Sequence, residues 1–440
     1  MKAKLLTLVA AVLSVMCMMS SCNYIVPDLT GLISPPKASG EYYHIQKALT
    51  RFVGGTINLK YPTGGDNKTP FLVQDLDGDG VEEAVAFYAL AGEDKKVAPV
   101  HINLLINGSD GWISTSDITA RAGDIDKVVV SDVTGDGKQE LLIGFDAFSS
   151  IGNTLVVYSF RSDKLVEVLN EEYSDYVLAD LTDDGNQELL LLSHRATEKK
   201  ADAKLYSFVS GNLLLKGTVQ LDGNISGFAE IKVGKLTDGH TAVYIDSHKG
   251  VASMVTDIVF VNNGTLVNPM YDPMIMENQS TLRNSTEISR DIDGDGFIEV
   301  PFTSLMPGYE TVASADAAYM YKWGRYDGLK FNVVYSGDYS PEFGYAMLFP
   351  PLWEGSVTVV VDKANNMRSY RLWDSVAGTT GAEILRTRVY SVEEFAAVDS
   401  DEIIELARDD TRVYAARIVP ASAEYLLTEQ DVKNMFFRFS

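Results

Sequence analysis

The chain has 440 residues, 61 of them acidic and 37 basic, for a formal charge of −24. So acidic a surface disfavours nucleic acid and anionic lipid as direct ligands and favours divalent cations. A hydrophobic content of 46% supplies a packed core and excludes a disordered chain.

The chain opens with Met1, Lys2, Ala3 and Lys4, followed by the uncharged run LLTLVAAVLSVMCMM. A basic start and a short apolar run have the build of a secretory signal and fall short of a bilayer span. The run ends in Met19-Ser20-Ser21-Cys22, which resembles the bacterial lipobox. That resemblance implies cleavage before Cys22 and acylation of its sulfur. An ordinary secretory leader with an incidental cysteine is the alternative. The one other cysteine, Cys17, lies within the leader, so the exported part has no second thiol for an internal disulfide.

Residues 1–21 are therefore expected to be a lipoprotein signal peptide. Residues 22–40, with Pro27, Pro35 and Pro36, read as a flexible tether, and 41–440 as the folded part. Losing the two positive charges of Lys2 and Lys4 with the signal takes the charge from −24 to −26. Each buried methylene of an acyl chain contributes about 0.8 kcal/mol, so two chains would hold the protein on a lipid bilayer. The expected location is the cell exterior or the periplasm.

Self-similarity then organises the rest. Four segments align without gaps: VQDLDGDGVEEAVAFY from Val73, VSDVTGDGKQELLIGF from Val130, LADLTDDGNQELLLLS from Leu178 and SRDIDGDGFIEVPFTS from Ser289. Counting the first aspartate as position 1, oxygen-bearing side chains recur at positions 1, 3, 5 and 9, with glycine at 6. These are Asp75, Asp77, Asp79 and Glu83, then Asp132, Thr134, Asp136 and Glu140. The third and fourth copies carry Asp180, Thr182, Asp184 and Glu188, then Asp291, Asp293, Asp295 and Glu299. Calcium takes six to eight hard oxygens at about 2.3 to 2.6 Å, and alternate side chains of a tight loop converge on one ion where glycine permits the turn. Position 7 would add a backbone carbonyl from Val81, Lys138, Asn186 or Phe297.

An EF-hand begins the same way but needs glutamate at position 12 and then a helix. Position 12 is here Ala86, Ile143, Leu191 or Phe302, none of which ligates. The residues after the glutamate run as AVAFY, LLIGF and LLLLS, which read as buried strands, so each loop joins two strands. These residues resemble the FG-GAP or VCBS-type repeats, also seen in the integrin α-subunit, whose pattern D-x-D-G-D-G-x-x-D/E lies in a β-propeller blade. The resemblance implies about four calcium sites. Thr134 and Thr182 depart from the pattern, and one fewer negative charge makes the second and third sites weaker than the Asp75 and Asp291 loops.

The long interval between Asp180 and Asp291 holds a degenerate copy from Ala229, with Lys235 where aspartate is expected and Ala242 in place of glutamate. That copy is predicted to bind no calcium. A second hairpin follows each loop, as in TLVVYSFRSDKLVEVL, giving four strands per unit. The fold class is all-β, a β-propeller of about seven four-stranded blades, with six possible. The segment FPPLWEGSVTVVVD with RSYRLWDS reads as a sixth blade, and DEIIELARDDTRVYAARI as part of a seventh completed by strands from residues 51 to 72. An open array of repeats is the alternative.

Nucleophile-elbow, zinc, Walker and dinucleotide motifs do not occur in the sequence. The five histidines are scattered. Trp112, Trp323, Trp353 and Trp373 suit either a sugar-binding face or the core. The expected function is a non-catalytic, lipid-anchored, monomeric binding or scaffold protein for an extracellular protein or polysaccharide. The alternatives are an envelope polysaccharide-active enzyme and an accessory protein of the export or cell-wall machinery.

Overall fold

The computed structural model describes residues 40–92, 99–120, 124–146, 152–314, 316–398, 402–420 and 425–439. The signal peptide, Cys22 and the tether to residue 39 lie outside them. No described helix is long and apolar enough to cross a membrane.

The folded part begins with helix α1 (Glu41–Val53), where the sequence suggested only the approach to strands. Ile45 and Leu49, one turn apart, are buried, and Gly54 closes the helix in a left-handed conformation with its N–H on the Thr50 carbonyl. The rest is built from antiparallel sheets. The first contains β1 (Ile57–Leu59), β2 (Phe71–Gln74), β3 (Glu83–Leu90), β4 (Val100–Gly108) and β5 (Gly111–Ala120). Here β1 and β2 pair with successive stretches of β3 and together act as one interrupted strand.

Sheets two, three and four follow in strict chain order. They comprise β6 (Ile125–Ser131), β7 (Glu140–Phe145), β8 (Asn153–Phe160) and β9 (Leu165–Tyr173); β10 (Asp175–Ala179), β11 (Glu188–Arg195), β12 (Lys200–Val209) and β13 (Asn212–Leu221); and β14 (Gly227–Lys235), β15 (Thr241–His248), β16 (Met254–Asn262) and β17 (Thr265–Val267). Sheet five holds β18 (Val300–Leu305), β19 (Tyr319–Tyr326), β20 (Phe331–Ser340) and β21 (Tyr345–Leu348). Sheet six holds β22 (Val357–Asp362), β23 (Met367–Asp374), β24 (Thr379–Ser391), β25 (Ile404–Arg408) and β26 (Arg412–Ile418). Two short helices, α2 (Val392–Ala396) and α3 (Glu429–Met435), precede β27 (Phe436–Arg438), which returns to pair with β21.

The fold is all-β and of the propeller type, and the described residues form six sheets, the smaller of the two expected numbers. The strands assigned to a seventh blade are placed elsewhere. Residues 404–418 close the edge of sheet six against β24, and 57–74 form the first strand of sheet one. Hydrogen-bond pairing decides this, because β24 runs 13 residues and offers β26 an edge.

The hydrophobic core is divided among the interfaces between sheets. One cluster joins sheets one and two through Val85, Phe87, Ile143 and Val156. Others join two to three, three to four, four to five and five to six. Alternation along β3 sends Val85 and Phe87 toward sheet two and Ala84, Ala86 and Tyr88 to the opposite face, where Ile45 and Leu49 of α1 cover them. Among the described residues no hydrophobic cluster joins sheet six to sheet one. Trp112, Trp323 and Trp353 are buried in these clusters, so they serve packing rather than a sugar-binding face.

Candidate metal centre

The loops at Asp75, Asp132 and Asp180 lie between the first two strands of their sheets, whereas the Asp291 loop precedes β18 and is closed by an isolated bridge between Arg290 and Glu299. Asp75 accepts N–H bonds from Gly78 at 2.7 Å and Gly80 at 2.9 Å, one on each carboxylate oxygen. Asp132 does the same with Gly135 and Gly137, and Asp291 with Gly294 and Gly296. In the third loop Asp180 takes N–H groups from Asp184 and Gly185. The position-5 aspartates Asp79, Asp136, Asp184 and Asp295 accept the N–H of Val81, Lys138, Asn186 and Phe297.

The turn needs two left-handed residues, not one. Gly80, Gly137, Gly185 and Gly296 have φ of 87°, 83°, 89° and 90°, and position 4 is left-handed as well. Glycine fills position 4 in three loops, and Asp183 fills it in the third at φ 55°, a conformation aspartate tolerates better than most side chains. The Asp183 side chain points out of its own loop to the hydroxyl of Thr241 at 3.0 Å and to Lys235 at 3.5 Å. Lys235, which replaces the first aspartate of the degenerate copy, thus touches the third loop and pairs with Phe297 of the Asp291 loop. Gly78 packs against the Gly137 carbonyl, and Gly135 against Asn186. The loops therefore form one continuous row.

The glutamates at position 9 are buried under the loops. Glu83, Glu140, Glu188 and Glu299 each accept the N–H of the position-2 residue, at 2.9, 3.2, 2.9 and 2.8 Å, from Leu76, Val133, Leu181 and Ile292. Each is a clip holding the start of its loop to its end. Burial raises the pKa of all four, Glu140 to about 7.

The other oxygen of each clip distinguishes the loops. Ser159 donates to Glu140 at 3.1 Å, and Thr182 donates to Glu188 at 3.1 Å. Thr134 likewise turns its hydroxyl to Asp132 at 3.1 Å. Arg325 of β19 reaches Glu299 through Nε, Asp293 through Nη2 at 2.9 Å and Asp295 through Nη1 at 2.8 Å. Tyr335 adds a hydroxyl to Asp293 at 2.5 Å, and these donors hold Asp293 below the ordinary aspartate range although burial opposes them.

Two groups of carboxylates among the described residues bring ligand oxygens within 4.8 Å of one another: Asp75, Asp77 and Glu83, and Asp291, Asp293 and Asp295. The first group could hold a metal ion, because its clip oxygen converges with two loop aspartates and, among the described residues, no ion pair brings a cationic side chain to them. The loops at Asp132 and Asp180, with threonine at position 3, form no such group of carboxylates. Sequence reading named the carboxylates at positions 1, 3, 5 and 9 but missed Arg325, Ser159 and Tyr335, which come from β19, β8 and β20, strands reached only after each loop has ended.

No family model matches the sequence, and no curated protein does. Solved structures with a similar chain path include the periplasmic gluconolactonase PpgL of Pseudomonas aeruginosa, at 12% identity over 73% of this chain and 85% of that one, with a TM-score of 0.30. The Dos1 propeller covers 72% and 78% at 8% identity and a TM-score of 0.31. The exotype rhamnogalacturonan lyase YesX covers 74% and 68% at 15% identity and 0.26. Likeness at these scores carries no argument about the chemistry of this chain.

Proposed function

We propose that the protein is an exported, lipid-anchored member of the FG-GAP or VCBS-type propellers, stiffened by calcium, and that it acts as a non-catalytic, monomeric binding or scaffold protein. Its partner is an extracellular or envelope protein or polysaccharide. The observation that carries the calcium part of this reading is the convergence of Asp75, Asp77 and Glu83 within 4.8 Å beneath a glycine turn. Three carboxylates so close repel one another, and a divalent cation removes that cost. The loops at Asp132 and Asp180 are weaker sites, because Thr134 and Thr182 bring one charge fewer and spend their hydroxyls on carboxylates.

Support for a structural rather than catalytic use comes from how the carboxylates are engaged. In every loop the position-1 and position-9 side chains hold the turn and strand through backbone N–H groups. Calcium at a hundredfold excess over its dissociation constant should stabilise the fold by about 2.7 kcal/mol. The test is thermal melting of the full chain in calcium and in chelator. Calcium should raise the midpoint, and Asp75→Ala should remove most of that rise, more than Asp132→Ala does. Superimposable curves in calcium and chelator would sink the metal reading.

A further inference from the structure

The four loops share a frame but differ at one position outside it: the residue paired across the sheet from the clip glutamate. Glu83 faces Ile106 on β4, and Glu140 faces Ser159 on β8. One step beyond the Leu189–Tyr206 pair, Glu188 faces Ser207, and one step beyond the Val300–Gly324 pair, Glu299 faces Arg325. Ile106 brings no donor to the outward oxygen of Glu83, which is free to join Asp75 and Asp77. Ser159 supplies a hydroxyl. Arg325 supplies a full positive charge.

We propose that Arg325 is the resident cation of the Asp291 loop, and that the residue opposite the clip glutamate, Ile106 or Arg325, decides whether the Asp75 and Asp291 loops take a metal ion or close on the chain itself. The guanidinium places three of its nitrogens on three carboxylates, Asp293, Asp295 and Glu299, and Phe297 of the same loop lies under it, 5.3 Å from Cζ to ring centroid. Its side chain is only 15% exposed and that of Glu299 is fully buried. A planar fork of fixed donors is suited to such multidentate carboxylate binding, and it neutralises the charge a calcium ion would otherwise neutralise. Calcium and the guanidinium need the same oxygens of Asp293, Asp295 and Glu299, so one excludes the other. The DxDGDG pattern alone ranks the Asp291 loop equal to the Asp75 loop; the cross-strand residue separates them.

For the Asp75 loop this inference rests on the calcium reading above, whereas for the Asp291 loop it does not. The experiment is a calcium count by equilibrium dialysis on the full chain, stripped of metal beforehand. Asp291→Asn in the otherwise wild-type chain should leave the count unchanged; a loss of one ion would show that the loop binds calcium despite Arg325 and would overturn the proposal. Arg325→Ile should gain one ion, and Arg325→Ile with Asp293→Asn should lose that gain. Arg325→Gln, which keeps a polar side chain, is the second variant if isoleucine prevents folding. A folded Arg325 variant that gains no ion refutes the inference. Ile106→Arg should cost the wild-type chain one ion, and retention of that ion would likewise overturn it. If the wild-type chain binds none but Arg325→Ile binds one, the inference stands for the Asp291 loop and the calcium reading of the Asp75 loop fails.

Discussion

A buried carboxylate is costly unless donors meet it, and that rule governs more than the loops. In sheet four Asp257, on β16, is almost wholly buried and accepts N–H groups from Asn268, Asn278 and the Asp222 backbone. Asp222 is itself buried, paired with Lys249 at 2.6 Å, and Lys249 reaches Glu277 at 3.0 Å. Burial, with the Asp222 charge adding to it and the Asn268 and Asn278 donors opposing, raises the pKa of Asp257 from 3.8 to about 6. Because the folded-state value is the higher, the folded protein holds a proton that the unfolded chain releases between about 4 and 6. The stabilisation from protonated Asp257 is therefore complete below about pH 4 and is lost as pH rises through about 6. Urea unfolding across that range should show a falling contribution that Asp257→Asn, which cannot ionise, lacks. Equal pH slopes in the two proteins would refute the assignment.

At the scale of elements, the hairpins were legible because their turns and alternation are local. Asn263-Gly264, both at positive φ, makes the tight turn from β16 to β17, and Ser210-Gly211 does the same between β12 and β13. Helix α1 was not read as a helix. Its sequence EYYHIQKALTRFV carries only two buried aliphatic residues, and what makes it stable is the face of sheet one that it covers. Leu49→Ala should cost about 2–5 kcal/mol, because Leu49 is fully buried against that face and the cavity has no other filling. Chemical denaturation measures it; a loss under 1 kcal/mol would mean that α1 is not a structural cover.

For the whole molecule, chain order and sheet order agree from β6 to β21; the departures come later, where β27 returns to β21 and β26 lies between β24 and β25. The connection from β17 to β18 runs through buried Asn278, Thr281, Arg283 and Ser289, hydrogen-bonded to Thr256, Asp257 and Asp246 of sheet four. Arg283 and Asp246, both buried, pair at 2.8 Å. The chain end then crosses back, and β27 puts Phe437 and Phe439 against the cluster of Tyr321, Trp323 and Tyr339. The proposed lipid anchor, Cys22, lies toward the other end of the chain. Cys22→Ser should move the protein from the membrane fraction to the soluble fraction, and continued membrane retention would end the anchor proposal.

The sequence by itself determined the all-β class, the four-stranded unit and the frame of the loops. Each rests on contacts between residues close in the chain: a turn needs its glycines and a strand its alternation. The second left-handed position, at Gly78, Gly135, Asp183 and Gly294, was not read from the sequence, where the turn is expected to need glycine at position 6 alone. Tertiary structure decided what lies across each strand and who supplies the missing charge. Asp75 and Asp291 begin near-identical motifs, yet the proposed ion site is the first loop alone, and the other meets Arg325, 34 residues farther on and adjacent only because β18 pairs with β19. A loop carries its ligands in its own residues. The cation that answers them comes from wherever the fold brings a partner.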